Sequence, residues 1–248
     1  MILLPAANSI IRKVAPAALF AVAAFSLSPL GSKRAYSQNL QFPDIRTSLS
    51  KAILAQVTIQ PDEPKVTLSK TLLNGDEVIG RHSSENVGSV CFVVRRPGWS
   101  LCRAEGQQLT DEQEQGTAFN GFDLFGIVKE VGVDDDGLEE FYSKHYTFPL
   151  YLDEERVFYD ALGGRKMSFG SLLGLIPKSF GSMGKRLKDK GIDGNFKGEG
   201  LVQGGVIVFN NLGEPVYAYQ EVTGDELPME EILDAVQTIR QSATGSEL

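Results

Sequence analysis

Cys102 closes the run Arg95-Arg96-Pro97-Gly98-Trp99-Ser100-Leu101-Cys102, which reads as a redox-active loop carrying a single thiol. An apolar β-type stretch, Val90 to Val94, precedes the run and a helix-like stretch follows it, so the cysteine falls at a strand-to-helix turn. Unpaired N–H groups at a helix start favour thiolate over thiol, and Arg95, Arg96 and Arg103 add cations nearby. An unperturbed cysteine, with a pKa of about 8.5, is only about 3% ionised at pH 7, whereas a pKa about two units lower leaves roughly three-quarters ionised. These residues predict Cys102 as the attacking group, with Arg95, Arg96 and Arg103 stabilising the thiolate and a leaving oxygen. Side chains alternate in an extended chain, so one of Arg95 and Arg96 is expected to face the thiol and the other to face solvent. Pro97, Gly98, Trp99 and Ser100 form the expected substrate-binding loop, with backbone N–H groups from Gly98 to Leu101 to orient an oxygen. Trp99 there either shapes a pocket or covers the core.

The second cysteine is placed too far away to help. Cys91 lies four residues before Arg95 in a strand rising about 3.3 Å per residue, roughly 13 Å from its end, whereas a disulfide needs Cα atoms within about 7 Å. It reads as a small buried core residue. Two cysteines, with His82 and His145 as the only histidines, are too few for a thiol- or imidazole-based metal site. No metal and no cofactor are expected.

The elements that must hold Cys102 follow from periodicity. Gly88 to Arg95 is nearly continuous in apolar residues, as in a central strand buried on both faces. A helix is expected from Ser100 to about Gln115, a strand from Phe122 to Lys129, a helix from Asp136 to Tyr146 and a short strand from Phe148 to Leu152. That alternation implies parallel strands with right-handed crossovers. Gly205 to Asn210 and Pro215 to Gln220, joined by Asn211-Leu212-Gly213-Glu214, read as a hairpin, and Met229 to Gln241 as a final amphipathic helix after Pro228. Two βα units, a hairpin and a covering helix make an α/β, thioredoxin-like fold: a central mixed β-sheet flanked by helices. Before this domain, expected over residues 66–242, lies a weakly patterned lead-in over 37–65. It holds one candidate helix around Ile45 to Val57 and Pro-bounded breaks, and the Asn74-Gly75-Asp76 turn suggests a short hairpin-like element. Residues 243–248 read as a flexible tail.

Two segments depart from the minimal fold. Residues 165–190 hold Arg165, Lys166, Lys178, Lys185, Arg186, Lys188 and Lys190 against one acid, Asp189, interleaved with apolar residues. This basic helical insertion before the C-terminal hairpin either packs on the domain as a solvated arm or docks an acidic partner or a membrane surface. Residues 1–36 carry four cations (Arg12, Lys13, Lys33, Arg34) and no acid, with an apolar stretch from Val14 to Leu30. They read as a targeting leader, with mitochondrial import favoured by Arg34-Ala35-Tyr36-Ser37 and a plastid or secretory address as the alternatives. The whole chain, 248 residues long, has a formal net charge of −8, which argues against nucleic acid as a partner.

With these elements in place, the chain resembles the peroxiredoxin-like 2 family of AhpC/TSA-type antioxidant proteins, in the thioredoxin-like superfamily. The resemblance rests on Val94 to Arg103, on Val128-Lys129-Glu130, on Arg165-Lys166-Met167, and on Gly198-Glu199-Gly200 with Gly204-Gly205-Val206. Members typically carry Pro-Gly-Cys-x-x-Cys, so the first family thiol falls at Trp99 and only the second, Cys102, is present. The missing thiol argues against dithiol exchange, which needs a partner thiol to release the mixed disulfide. The resemblance implies a thiol-dependent peroxide reductase working through Cys102, with a small-molecule peroxide as substrate and an external thiol, thioredoxin or glutathione, as reductant. The alternatives are a thioredoxin-fold binding module that has lost its chemistry and a reductase of prostaglandin-type lipid endoperoxides.

Overall fold

The computed structural model of the protein describes residues 42–60, 62, 64–166, 182–223 and 225–245. The expected leader and the middle of the basic arm, 167–181, lie outside the described residues.

A seven-stranded sheet forms the body of the fold. Helix α1 (Phe42–Leu49) leads into β1 (Ile53–Ile59), β2 (Val66–Asn74) and α2 (Gly75–Ser83). The central βα units are β3 (Gly88–Val93), α3 (Ser100–Gln115), β4 (Phe122–Val128), α4 (Asp135–Lys144) and β5 (Leu150–Leu152). Among the described residues, two short helices, α5 (Val157–Ala161) and α6 (Ser182–Asp189), precede the hairpin β6 (Gly205–Asn210) and β7 (Pro215–Gln220), and α7 (Met229–Gly245) closes the described chain. The strand order is β2-β1-β5-β4-β3-β6-β7. β3 runs parallel to β4 and β4 to β5, while β6 and β7 pair antiparallel beyond β3. This is the thioredoxin-like α/β arrangement expected from the sequence, extended by β1 and β2.

Every residue of β3 is buried, which explains its nearly unbroken apolar run. Successive side chains enter opposite layers. Val90 and Phe92 join α3, α4 and α7 residues in one core, while Cys91 and Val93 join α1, α2 and α5 residues in the other. Cys91 and Cys102 therefore sit in different layers, and both thiols are free.

The lead-in departs from expectation. The helix around Ile45 to Val57 stops at Leu49, and Ile53 to Ile59 instead forms a strand between β2 and β5. A three-strand neighbourhood outweighs local helical periodicity here, because β1 buries Leu54, Ala55 and Val57 in the sheet. The Asn74-Gly75-Asp76 segment, read as a turn, caps a helix: Asn74 Oδ1 accepts the Glu77 N–H at 2.9 Å, and Glu77 Oε2 accepts the Asn74 N–H at 2.7 Å. That reciprocal pair is a capping box. Gly75 is required there, since a Cβ would lie 1.9 Å from the Leu49 carbonyl oxygen.

Candidate active site

The chain leaves β3 at the carboxyl end of the central strands and crosses it in a tight loop. The Val94 N–H donates to the Ile127 carbonyl at 2.8 Å, and the Trp99 N–H to the Arg96 carbonyl at 3.0 Å. Helix α3 then starts at Ser100, with Trp99 in the N-cap position and no side-chain oxygen capping the free N–H groups. Such a cap is worth about 1 kcal/mol, so the first turn of α3 depends on surrounding contacts. Cys102 occupies that turn and is 1% exposed.

Burial pushes the Cys102 thiol far above the usual cysteine range, and the carboxyls of Glu105 and Glu221 push it the same way. The Arg96 backbone N–H and the Arg95 guanidinium oppose this without overcoming it. The thiolate expected from the helix terminus and the arginines is thus corrected. In the closed site desolvation outweighs both, and the group is a neutral thiol.

The four expected cationic and thiol residues are only partly gathered. Arg95 is 2% exposed and donates to Glu221 Oε1 at 2.8 Å, to the Gly200 carbonyl at 2.6 Å and to Thr223 Oγ1 at 2.8 Å. Arg96 is half-buried and donates to the carbonyls of Phe196 at 3.1 Å and Gly198 at 3.3 Å. Both guanidiniums stack on the Trp99 ring, at 4.5 and 5.6 Å from its centroid. The expected alternation of Arg95 and Arg96 fails because the strand ends at Val93, so neither residue is in extended pairing. Arg103 is turned to other work: it pairs with Glu140 at 2.8 Å and donates to the carbonyls of Asp193 and Pro97.

Three site residues were not singled out for chemistry in the sequence. Lys129 is buried, donates its ammonium to the Arg95 carbonyl, lies 3.4 Å from Glu199, and is placed to favour a charged form of Cys102. Burial lowers its pKa. Parallel pairing of β3 and β4 places residue 129 beside the Cys102 loop, a signal readable once Val93 is registered against Ile127. Glu105 stands one helical turn beyond Cys102, and Glu221 follows β7. Burial and the neighbouring Glu221 push the Glu105 carboxyl above the normal range, and the Arg95 guanidinium opposes them.

The expected substrate loop is covered by residues 193–202. The Asn195 N–H donates to the Gly98 carbonyl at 2.7 Å, its side-chain amide to Asp134 at 2.8 Å, and the Glu199 N–H to Glu130 at 2.7 Å. Pro97 and Gly98 line a recess of about 10 Å³, room for one water molecule and no alkyl peroxide. Trp99 and Ser100 do not line it: Trp99 is buried in the α3 core, and Ser100 lies beneath Gly194. A Cβ on Gly194 would stand 2.4 Å from the Ser100 nitrogen. Gly194→Ala should therefore lift this strap, raising Cys102 alkylation by iodoacetamide about tenfold, as read by peptide mapping; that factor matches roughly 1.4 kcal/mol of steric strain. An unchanged rate would show that the strap does not gate the thiol.

Fold and site together define a thioredoxin-fold protein with one sealed thiol beside buried cations and carboxyls. The sequence profile of the AhpC/TSA antioxidant enzyme family matches residues 108–223, a span that starts beyond Cys102. The chain is 32% identical over 158 residues to peroxiredoxin-like 2A of Danio rerio, covering 62% of this chain and 70% of that protein. It is 30% identical over 179 residues to a prostamide/prostaglandin F synthase of Aquarana catesbeiana, covering 68% and 84%. The chain belongs to the peroxiredoxin-like 2 family of the thioredoxin-like superfamily. Among solved structures it is similar to the peroxiredoxin 6 of Arenicola marina, with a TM-score of 0.45 and 14% identity over 69% of this chain and 67% of that one.

Proposed function

We propose that the protein is a gated thiol peroxidase: a family antioxidant whose single working sulfur, Cys102, is held as a neutral thiol until the first turn of α3 opens. The observation that carries this reading is the placing of Cys102 in an uncapped helical turn within the fields of Arg95, Arg96 and Lys129. Opening removes the desolvation that raises the thiol pKa and leaves the cations to favour thiolate. The sulfur then attacks one peroxide oxygen. An S–O bond forms, the O–O bond breaks, and the departing oxygen takes a proton to leave as water or an alcohol. Cys102 is oxidised to a sulfenic acid, and two equivalents of an external thiol, thioredoxin or glutathione, reduce it with release of water and a disulfide. No internal thiol assists, since Cys91 lies in the other core layer.

A peroxide-consumption assay with either reductant, run beside a dimedone-type sulfenate trap, tests this. Cys102→Ser should abolish both signals while leaving the fold intact; consumption at the parent rate would sink the proposal. The burial of Cys102 favours one second reading, a thioredoxin-fold binding module without catalysis, in which the parent protein forms no sulfenate even at millimolar peroxide. For the endoperoxide reductase suggested by the prostamide/prostaglandin F synthase relative, the described site offers no recess for a lipid at Pro97 to Ser100.

A further inference from the structure

In a chain of net charge −8, residues 182–197 carry five cations against two acids, Asp189 and Asp193. Three of those cations, Lys185, Lys188 and Lys190, are exposed on α6 or just after it. Among the described residues none of the three enters an ion pair. Leu187, half-buried, fixes the helix by packing on the core that contains Cys102. The chain leaves α6 through Gly191, at a φ of 64°, with the Gly191 and Ile192 N–H groups donating to the carbonyls of Lys188 and Leu187. That turn buries Ile192 and lays Gly194 over Ser100 at the start of α3. Leu187 and Lys190 stand beside Leu101 and Ala104, so the basic helix and the strap cover neighbouring parts of the same first turns of α3.

At the tip of the strap Phe196 is 78% exposed. The Arg96 guanidinium lies 5.5 Å from its ring centroid and donates to its carbonyl at 3.1 Å, so a cation pins the ring while solvent reaches it. Lys197 beside it is exposed and lies 3.7 Å from Asp134. A fixed, exposed aromatic ring next to a lysine-rich surface combines the two attractions of a membrane interface: charge for the headgroups and an apolar body for the acyl boundary. The form of the charge also selects the partner. Lysine ammoniums are point charges without the planar fork that singles out one carboxylate or phosphate. The recess beside them, between α3 and α6, has Asp225 and Glu226 on its wall, which oppose an acidic side chain seated there. A plane of anionic headgroups needs no recess. Acids elsewhere on the protein are screened beyond about 8 Å at physiological salt, so the local sign governs.

We propose that α6 and the strap tip form a docking surface for an anionic phospholipid bilayer, with Lys185, Lys188 and Lys190 on the headgroups and the Phe196 ring at the acyl boundary. Because Leu187 is turned to the core, α6 lies on the headgroups and does not enter the hydrocarbon. The surface is independent of whether Cys102 reduces peroxides.

The test mixes full-chain Phe196→Trp protein with vesicles of phosphatidylserine and acyl-brominated phosphatidylcholine and follows indole fluorescence. The parent, whose single tryptophan is the buried Trp99, supplies the baseline. Saturable quenching of the introduced indole is expected with these vesicles and none with phosphatidylcholine alone. Adding Lys185→Glu/Lys188→Glu, at two exposed positions, should raise the lipid concentration at half-quenching at least tenfold, while Arg12→Glu/Lys13→Glu in the basic N-terminal segment should change it by less than about threefold. Equal quenching by neutral vesicles, no quenching at the highest lipid concentration, or an unchanged midpoint in the Lys185/Lys188 variant would each overturn the surface. Quenching lost only in the Arg12/Lys13 variant would overturn it too, by moving the contact to residues 1–36. So would polyglutamate binding that needs Lys185 and Lys188 when vesicles do not bind, which would make the partner an acidic protein.

Discussion

Arg95→Leu should lower the melting temperature by about 6–20 °C. The Arg95–Glu221 pair is sealed, with side chains 2% and 6% exposed, and the guanidinium also holds the Gly200 carbonyl and Thr223. Removing one partner of such a pair leaves an uncompensated buried charge and costs roughly 3–5 kcal/mol. Each kcal/mol shifts the transition of a domain of this size by about 2–4 °C. The double variant Arg95→Leu/Glu221→Leu should recover much of the loss, because well-packed apolar residues replace a buried pair at little net cost. A single variant melting within 2 °C of the parent would mean that Glu221 is solvated and the pair is not structural. Glu221 keeps one other contact, the Gly204 N–H at 3.1 Å, which is too little to satisfy a buried carboxylate.

The second large effect is on reactivity. Trp99 is 8% exposed, belongs to the core that contains Cys102, and is clamped by two guanidiniums. Truncating a buried tryptophan removes about 3–5 kcal/mol of packing, and each guanidinium contact adds about 0.5–2 kcal/mol. Because Trp99 holds the start of α3 without capping it, part of that loss falls on opening the first turn. Trp99→Ala should therefore speed alkylation of Cys102 by about 100-fold, corresponding to roughly 2.7 kcal/mol, while Cys91 in the opposite layer stays protected. Equal acceleration at both cysteines would point to global destabilisation instead of local opening.

Much of this was legible in the sequence because β3, α3, β4 and the C-terminal hairpin each carry a pattern enforced by burial. Gly88 to Val93 is nearly all apolar because both faces are covered, and Asn211 to Glu214 reads as a turn because Gly213, at a φ of 71°, takes the left-handed conformation that favours glycine. Resemblance added the family. The lead-in was misread because β1 takes its identity from neighbours distant in sequence, β2 on one side and β5 on the other, and no window around Ile53 contains them. At the site, Cys102 and its arginines were found by type and spacing, but the sign of the thiol's pKa was not. That sign depends on residues 193–202 closing over the loop and on Glu105 and Glu221 meeting beneath it, contacts between segments about 100 residues apart. Charge counted along a chain is blind to desolvation, and here desolvation decides.

The central claim is that Cys102 is a neutral thiol in the closed protein and becomes a nucleophile only on opening. Thiolate absorbance near 240 nm, followed from pH 5 to pH 9 in the native protein and in Trp99→Ala, tests it most directly. The raised pKa of both thiols means no titration in the native protein across that range, and one thiolate emerging in Trp99→Ala as the cations act on an exposed sulfur. A native-state midpoint below about pH 8, lost in Cys102→Ser, would contradict the account.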